Sequence, residues 1–78
     1  MSVKHNNSLP SNREIEVLHL IASEFTSKEI ADTLYISRET VNTHRKNLML
    51  KLGARNVAGL IRRAFEYKIL RIPLINVA

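Results

Sequence analysis

Two helix-start signals eleven residues apart, at Thr26 and Ser37, constrain this chain more than any other feature. Thr26 and Glu29 have capping-box spacing, in which the hydroxyl and the carboxylate each accept a backbone N–H left unpaired by the first turn. Ser37 repeats the N-cap role, with Thr40 three residues on. Apolar residues occupy both staple positions each time, Phe25 with Ile30 and Ile36 with Val41. Two short helices joined by so tight a turn must cross steeply, which is the helix-turn-helix arrangement. That geometry lets the second helix project into a DNA major groove.

The rest of the chain reads as helix on either side of this unit. Ser11 and Glu14 form another capping box, opening a helix with Ile15, Val17, Leu18, Leu20 and Ile21. The helix after Ser37 ends at Gly53. Asn56 caps a last helix whose apolar stripe is Val57, Leu60, Ile61, Ala64 and Phe65. The expected fold is all-α, with four helices over about 12–23, 27–34, 38–52 and 56–69. Residues 1–9 read as a disordered lead-in, 10–69 as one domain, and 70–78 as an apolar C-terminal tail closed to helix by Pro73.

At 78 residues there is one core. A chain of this size buries only about 60–65% of its unfolded surface. It has no cysteine, which rules out disulfides and thiolate metal sites. No apolar run approaches the ~18 residues of a membrane span, and the polar start MSVKHNNS lacks a signal-peptide core, so a cytoplasmic protein is expected. Asp32 is the only aspartate, and Gly53 and Gly59 are the only glycines. With no nucleophile–base pair and no glycine-rich phosphate loop, the sequence argues against an enzyme and implies no cofactor. His5, His19 and His44 are too scattered for a metal site.

Charge is unevenly placed. Residues 1–37 carry three basic residues against five acids, and residues 38–78 carry nine against two, net −2 and +7. No acid lies between Glu39 and Glu66, a window holding Arg45, Lys46, Lys51, Arg55, Arg62 and Arg63. This asymmetry suits a polyanion, although basic residues also merely solvate exposed helix faces.

At about 100° per residue, Val41, His44, Leu48 and Leu52 share the face of the third helix that must be buried. The opposite face collects Glu39, Asn42, Thr43, Lys46 and Leu50, with Asn47 and Met49 on its flanks. Asn pairs bidentately with adenine, Lys reaches guanine acceptors, and a Thr methyl suits the thymine methyl. Asn42, Thr43 and Lys46 are therefore the candidate base contacts. Arg38, Thr40, Arg45 and the N-terminal amides are placed for phosphates. His44, on the buried stripe, is either a packed, hydrogen-bonded residue or one that also reaches a phosphate with its free ring nitrogen.

These residues resemble the LuxR/FixJ-type (GerE-like) helix-turn-helix family, the DNA-binding output domain of many bacterial regulators. The matching strings are R-E-x-E-V-L-x-L-I-A at 13–22, K-E-I-A at 28–31, I-S-x-x-T-V-x-x-H at 36–44 and N-L-x-x-K-L-G at 47–53. The likeness covers roughly residues 10–66. His44, Asn47, Lys51, Leu52 and Gly53 set it apart from sigma-factor region-4 helices. It implies base contacts from Asn42, Thr43 and Lys46, and backbone contacts from Lys28, Thr40, His44, Arg45 and Asn47. It also implies a homodimer through the fourth helix, with Val57, Leu60 and Ala64 as the candidate interface; the alternative is that in so short a helix Val57, Leu60, Ile61, Ala64 and Phe65 all belong to the monomer's own core. A regulator's DNA-binding domain would have RNA polymerase as a further partner.

Four departures qualify the likeness. Glu24 stands where the family has Gly after the first helix, which predicts a differently built turn, because a left-handed Glu costs about 1 kcal/mol. Pro10 replaces an apolar residue and leaves Leu9 to take over its packing. Asn42 replaces a common Lys, exchanging charge for adenine preference. Val57 and Gly59 replace Arg and Glu, making the fourth helix more apolar and open to close backbone approach.

Double-stranded DNA is the expected partner, bound sequence-specifically by a transcriptional regulator. The alternative is a protein-interaction module whose basic face meets an acidic protein. Family members usually carry a sensor or receiver domain, so the expectation is either an excised output domain or a free-standing small regulator.

Overall fold

The structure, a computed structural model, describes residues 9–71. Four helices follow in order: α1 (Asn12–Ala22), α2 (Ser27–Leu34), α3 (Arg38–Leu52) and α4 (Val57–Glu66). No strand occurs among the described residues. The lead-in over residues 1–8 and the tail over 72–78 lie outside them.

Each helix starts on a side-chain cap. Ser11 Oγ accepts the Glu14 N–H at 3.1 Å, and Glu14 Oε1 accepts the Ser11 N–H at 2.9 Å. Thr26 and Glu29 repeat the exchange at 3.1 and 2.8 Å. Ser37 and Asn56 accept the N–H groups of Thr40 and Gly59. Each cap supplies about 1 kcal/mol by pairing an otherwise unmet donor.

The helices also end alike, and here two expectations needed correction. After each helix one residue turns left-handed: Glu24 (φ 70°), Tyr35 (φ 59°), Gly53 (φ 69°) and Lys68 (φ 62°). The next residue's N–H returns to the carbonyl five residues back, Phe25 to Leu20, Ile36 to Ala31, Ala54 to Met49 and Ile69 to Ala64, at 2.8–3.1 Å. The turn after α1 is therefore not built differently: Glu24 adopts the left-handed conformation despite its Cβ. The fourth helix stops at Glu66 instead of 69, because Lys68 reverses the chain and sends Ile69 and Leu70 back to the core. The first helix stops at Ala22. Ile36, Ala54 and Ile69 pack against the core, an apolar contact that offsets the left-handed strain.

α3 is the central element, lying against α1, α2 and α4. The core joins Val17, Leu18 and Ile21 of α1, Ile30 and Ala31 of α2, Val41, Leu48 and Leu52 of α3, and Leu60 and Ala64 of α4. Leu70, expected in the tail, is buried with them. Leu9 does not take over the packing displaced by Pro10, being 84% exposed. Fully enclosing Val41 and Leu48 stabilises the domain by about 1.5–3 kcal/mol each. Turning α3 about its axis would forfeit that burial, so the face it shows to solvent is fixed.

Candidate nucleic-acid interface

The exposed face of α3 is the one expected. Glu39, Asn42, Thr43, Lys46 and Leu50 are all exposed, while Val41, Leu48 and Leu52 are buried. Asn42 and Lys46 stand one turn apart with Thr43 beside them, so the three candidate base contacts share one surface. Asn42 Oδ1 accepts the Ser27 hydroxyl at 3.3 Å, which ties this face to the first turn of α2. The amide nitrogen is then left to donate outward, and Oδ1 keeps a second lone pair.

The candidate backbone contacts surround that face. Arg38 and Thr40 are exposed in the first turn of α3, and Arg45 and Asn47 are half-buried further along. Thr40 Oγ1 accepts the Ser37 hydroxyl at 2.9 Å, leaving the Thr40 hydroxyl proton for an outside acceptor. Lys28 pairs with Asp32 at 3.2 Å, but both side chains are exposed, so the pair is worth little and Lys28 can exchange it for a phosphate. Among the described residues, Arg38, Arg45 and Lys46 form no ion pair.

His44 departs from the hydrogen-bonded reading. It is half-buried as the stripe predicts, yet its Nδ1 is enclosed with no hydrogen-bond partner among the described residues. The ring is therefore held by packing, with one edge against the core.

A second polar group, which the sequence reading used only as a helix cap, anchors the same helix. Glu14 is 5% exposed, and its Oε1 also accepts from Lys51 Nζ at 2.8 Å, linking α1 to the last turn of α3. Lys51 Nζ reaches the Leu9 carbonyl as well, at 3.5 Å. Burial pushes the Glu14 carboxyl up. The Lys51 and Ser11 hydrogen bonds, with the charges of Lys51 and His44, outweigh it and hold the carboxyl below its ordinary value. No local pattern announces a partner 37 residues away.

α4 corrects the candidate dimer interface. Leu60 and Ala64 are 1% and 0% exposed, consumed by the monomer's own core, and cannot meet a partner. Val57 is 39% exposed, and with half-buried Ile61 and with Phe65 it forms an apolar edge along the helix. Among the described residues no close backbone approach is made at Gly59: a Cβ there would meet Asn56 and Ala54 only at ordinary contact distance. Arg55, Arg62 and Arg63 line a shallow cleft of about 260 Å³ beside the α3–α4 turn. Glu16, Glu24, Glu29 and Asp32 are exposed on α1, α2 and the turn between them, so the acidic excess lies on α1 and α2 and the basic excess on α3 and α4, although Arg13, Lys28, Glu39 and Glu66 mix the signs within each helix.

No described helix is long and apolar enough to cross a membrane. Residues 8–64 match the family of bacterial regulatory proteins, luxR family. The chain is 51% identical over 57 residues to the transcriptional regulatory protein MctR of Rhizobium johnstonii, covering 73% of this chain and 27% of that protein. It is 50% identical over 56 residues to the uncharacterized response regulatory protein YgeK of Escherichia coli, covering 72% and 38%. It is 42% identical over 60 residues to the oxygen regulatory protein NreC of Staphylococcus aureus, covering 77% and 28%. Among solved structures, the response regulator ChrA of a heme-sensing two-component system superposes with a TM-score of 0.77 at 32% identity, covering 81% of this chain and 31% of that one. The chain thus spans 27–38% of the length of these curated relatives. Its four helices, its paired caps and its matched residues 8–64 place it in the luxR family of bacterial regulatory proteins.

Proposed function

We propose that this chain is the sequence-specific, double-stranded-DNA-binding unit of a cytoplasmic transcriptional regulator, acting by recruiting or blocking RNA polymerase. One observation carries the reading: α3 is locked by its buried stripe and by Lys51, while Asn42, Thr43 and Lys46 stand exposed together on its free face. In this reading those three contact base edges in the major groove. Lys28, Arg38, Thr40, His44, Arg45 and Asn47 contact the backbone, with the N-terminal amides of α3. The Val57, Ile61 and Phe65 edge then joins two copies on a two-fold site, weakly and assisted by DNA. Selecting sites from a random duplex pool tests the reading. An enriched half-site, repeated symmetrically, is expected. A pool with no enriched sequence would reduce the chain to a general polyanion binder and overturn the proposal.

A further inference from the structure

Among the described residues, α3 carries one large apolar side chain that the core does not use. Leu50 is 70% exposed and sits in the last turn of the helix, where a lysine or arginine would suit the C-terminal dipole better. It does not fray from the edge of the core. At about 100° per residue it falls between Lys46 and Thr43, on the side opposite Leu48 and Val41. Each four-residue step advances about 6 Å along a helix. Asn42, Lys46 and Leu50 therefore form a row roughly 12 Å long, the rise of about three to four base pairs.

We propose that Leu50 is a specificity-determining residue that reads the C5-methyl group of a thymine, at the far end of the row begun by Asn42 and Lys46. The inference rests on the DNA-binding reading above and extends it. Leu50 can neither donate nor accept a hydrogen bond, so a phosphate or a polar base edge gains nothing from it. The thymine methyl is the apolar group that the major-groove edge displays. Contact removes apolar surface of both partners from water, whereas a cytosine there would bury its amino group against the leucine without a partner. The surroundings favour the groove over a second copy of the chain. Leu50's neighbours on this face are Lys46, Thr43 and Asn47, and the exposed apolar edge lies elsewhere, on α4.

The test uses the 78-residue chain and the duplex selected from the random pool, with each thymine replaced singly by deoxyuridine, which removes only the methyl. The unaltered chain should lose about 3–10-fold in affinity at one thymine. Leu50→Ala should lose a similar factor on the thymine duplex and show no further loss on the deoxyuridine duplex at that position. Leu50→Val should fall between. Three results would overturn the inference: the same thymine–deoxyuridine ratio in Leu50→Ala as in the unaltered chain, equal weakening on selected and scrambled duplexes, or a changed sedimentation coefficient without DNA. Thermal melts check that each variant folds. If the unaltered chain does not prefer the selected duplex over a scrambled one, the DNA-binding reading itself fails and takes this inference with it. If that preference holds and Leu50→Ala keeps every methyl effect, only the role of Leu50 is lost.

Discussion

α2 and α3 are built from the same local parts and end up with different exposure. Both begin on a hydroxyl cap preceded by an apolar residue, and both stop at a left-handed residue. At the third helical position α2 has Glu29, whose carboxylate returns to the Thr26 N–H and closes that terminus with negative charge. α3 has Thr40 there, whose hydroxyl makes only a neutral contact with Ser37. α2 is eight residues long and buries Ile30 and Ala31, whereas α3 is fifteen, buried along one side and bare along the other. A helix end sealed by its own carboxylate supports its neighbour. α3 is capped by hydroxyls, and its own first-turn carboxylate, Glu39, makes no hydrogen bond to these amides among the described residues, so that end stays accessible to an outside anion, against the repulsion of Glu39.

That contrast can be broken at several points. The largest effect is expected at the anchor that α3 has and α2 lacks. Lys51→Met should cost about 2 kcal/mol in denaturant unfolding, because it leaves the Glu14 carboxylate buried without its cation. The same pair sets a pH dependence. The Glu14 carboxyl titrates lower folded than unfolded, so its contribution is complete above its ordinary value near 4.5 and fades as pH falls through the folded value. Glu14→Gln should flatten that acid limb, and an unchanged limb would remove Glu14 as its source.

Next in size come changes at the residues proposed to face the groove and the phosphates. Lys46→Ala should weaken the selected duplex by about 1–2 kcal/mol and relax base preference, while Arg45→Ala weakens all duplexes alike. Equal losses on selected and random duplexes for both would erase the distinction between base and backbone contacts. Thr40→Glu makes the start of α3 resemble that of α2. It should raise the melting temperature slightly, by completing a capping box, and lower DNA affinity by about 1 kcal/mol. Affinity unchanged by that carboxylate would separate this helix end from the phosphates. The smallest effect is at the two stops. Tyr35→Gly should stabilise the domain by about 0.5–1 kcal/mol by relieving a left-handed residue, as Gly53 already does for α3.

How much of this was legible depended on how local its cause is. The capping boxes at Ser11 and Thr26 each lie within four residues, and both were readable. So was the buried side of α3, because Val41, Leu48 and Leu52 repeat at helical spacing. The end of the fourth helix was not, because Lys68 does not advertise a left-handed turn. The signal was Ile69, an apolar residue placed to pack back on the helix. The buried half of the α4 stripe was hidden for a geometric reason: five apolar residues span more of the circumference than α3 can cover. Leu60 and Ala64 went inward, and Val57 and Phe65 did not. The Glu14–Lys51 pair was invisible because it depends on how α1 crosses α3. For the candidate interface, the face holding Asn42, Thr43 and Lys46 followed from periodicity, but the partnerless Nδ1 of His44 needed three-dimensional packing.

The acidic excess on α1 and α2 and the basic excess on α3 and α4 act before any contact is made. A chain with separated charge has an electric moment, and the field of a polyanion exerts a torque on it at several ångströms' distance. If DNA is the partner, as proposed, the domain should turn its α3 side forward during diffusion, and fewer collisions should arrive backward. Added salt should slow association more than it speeds dissociation, because screening removes this alignment at long range while leaving groups already in contact largely unscreened.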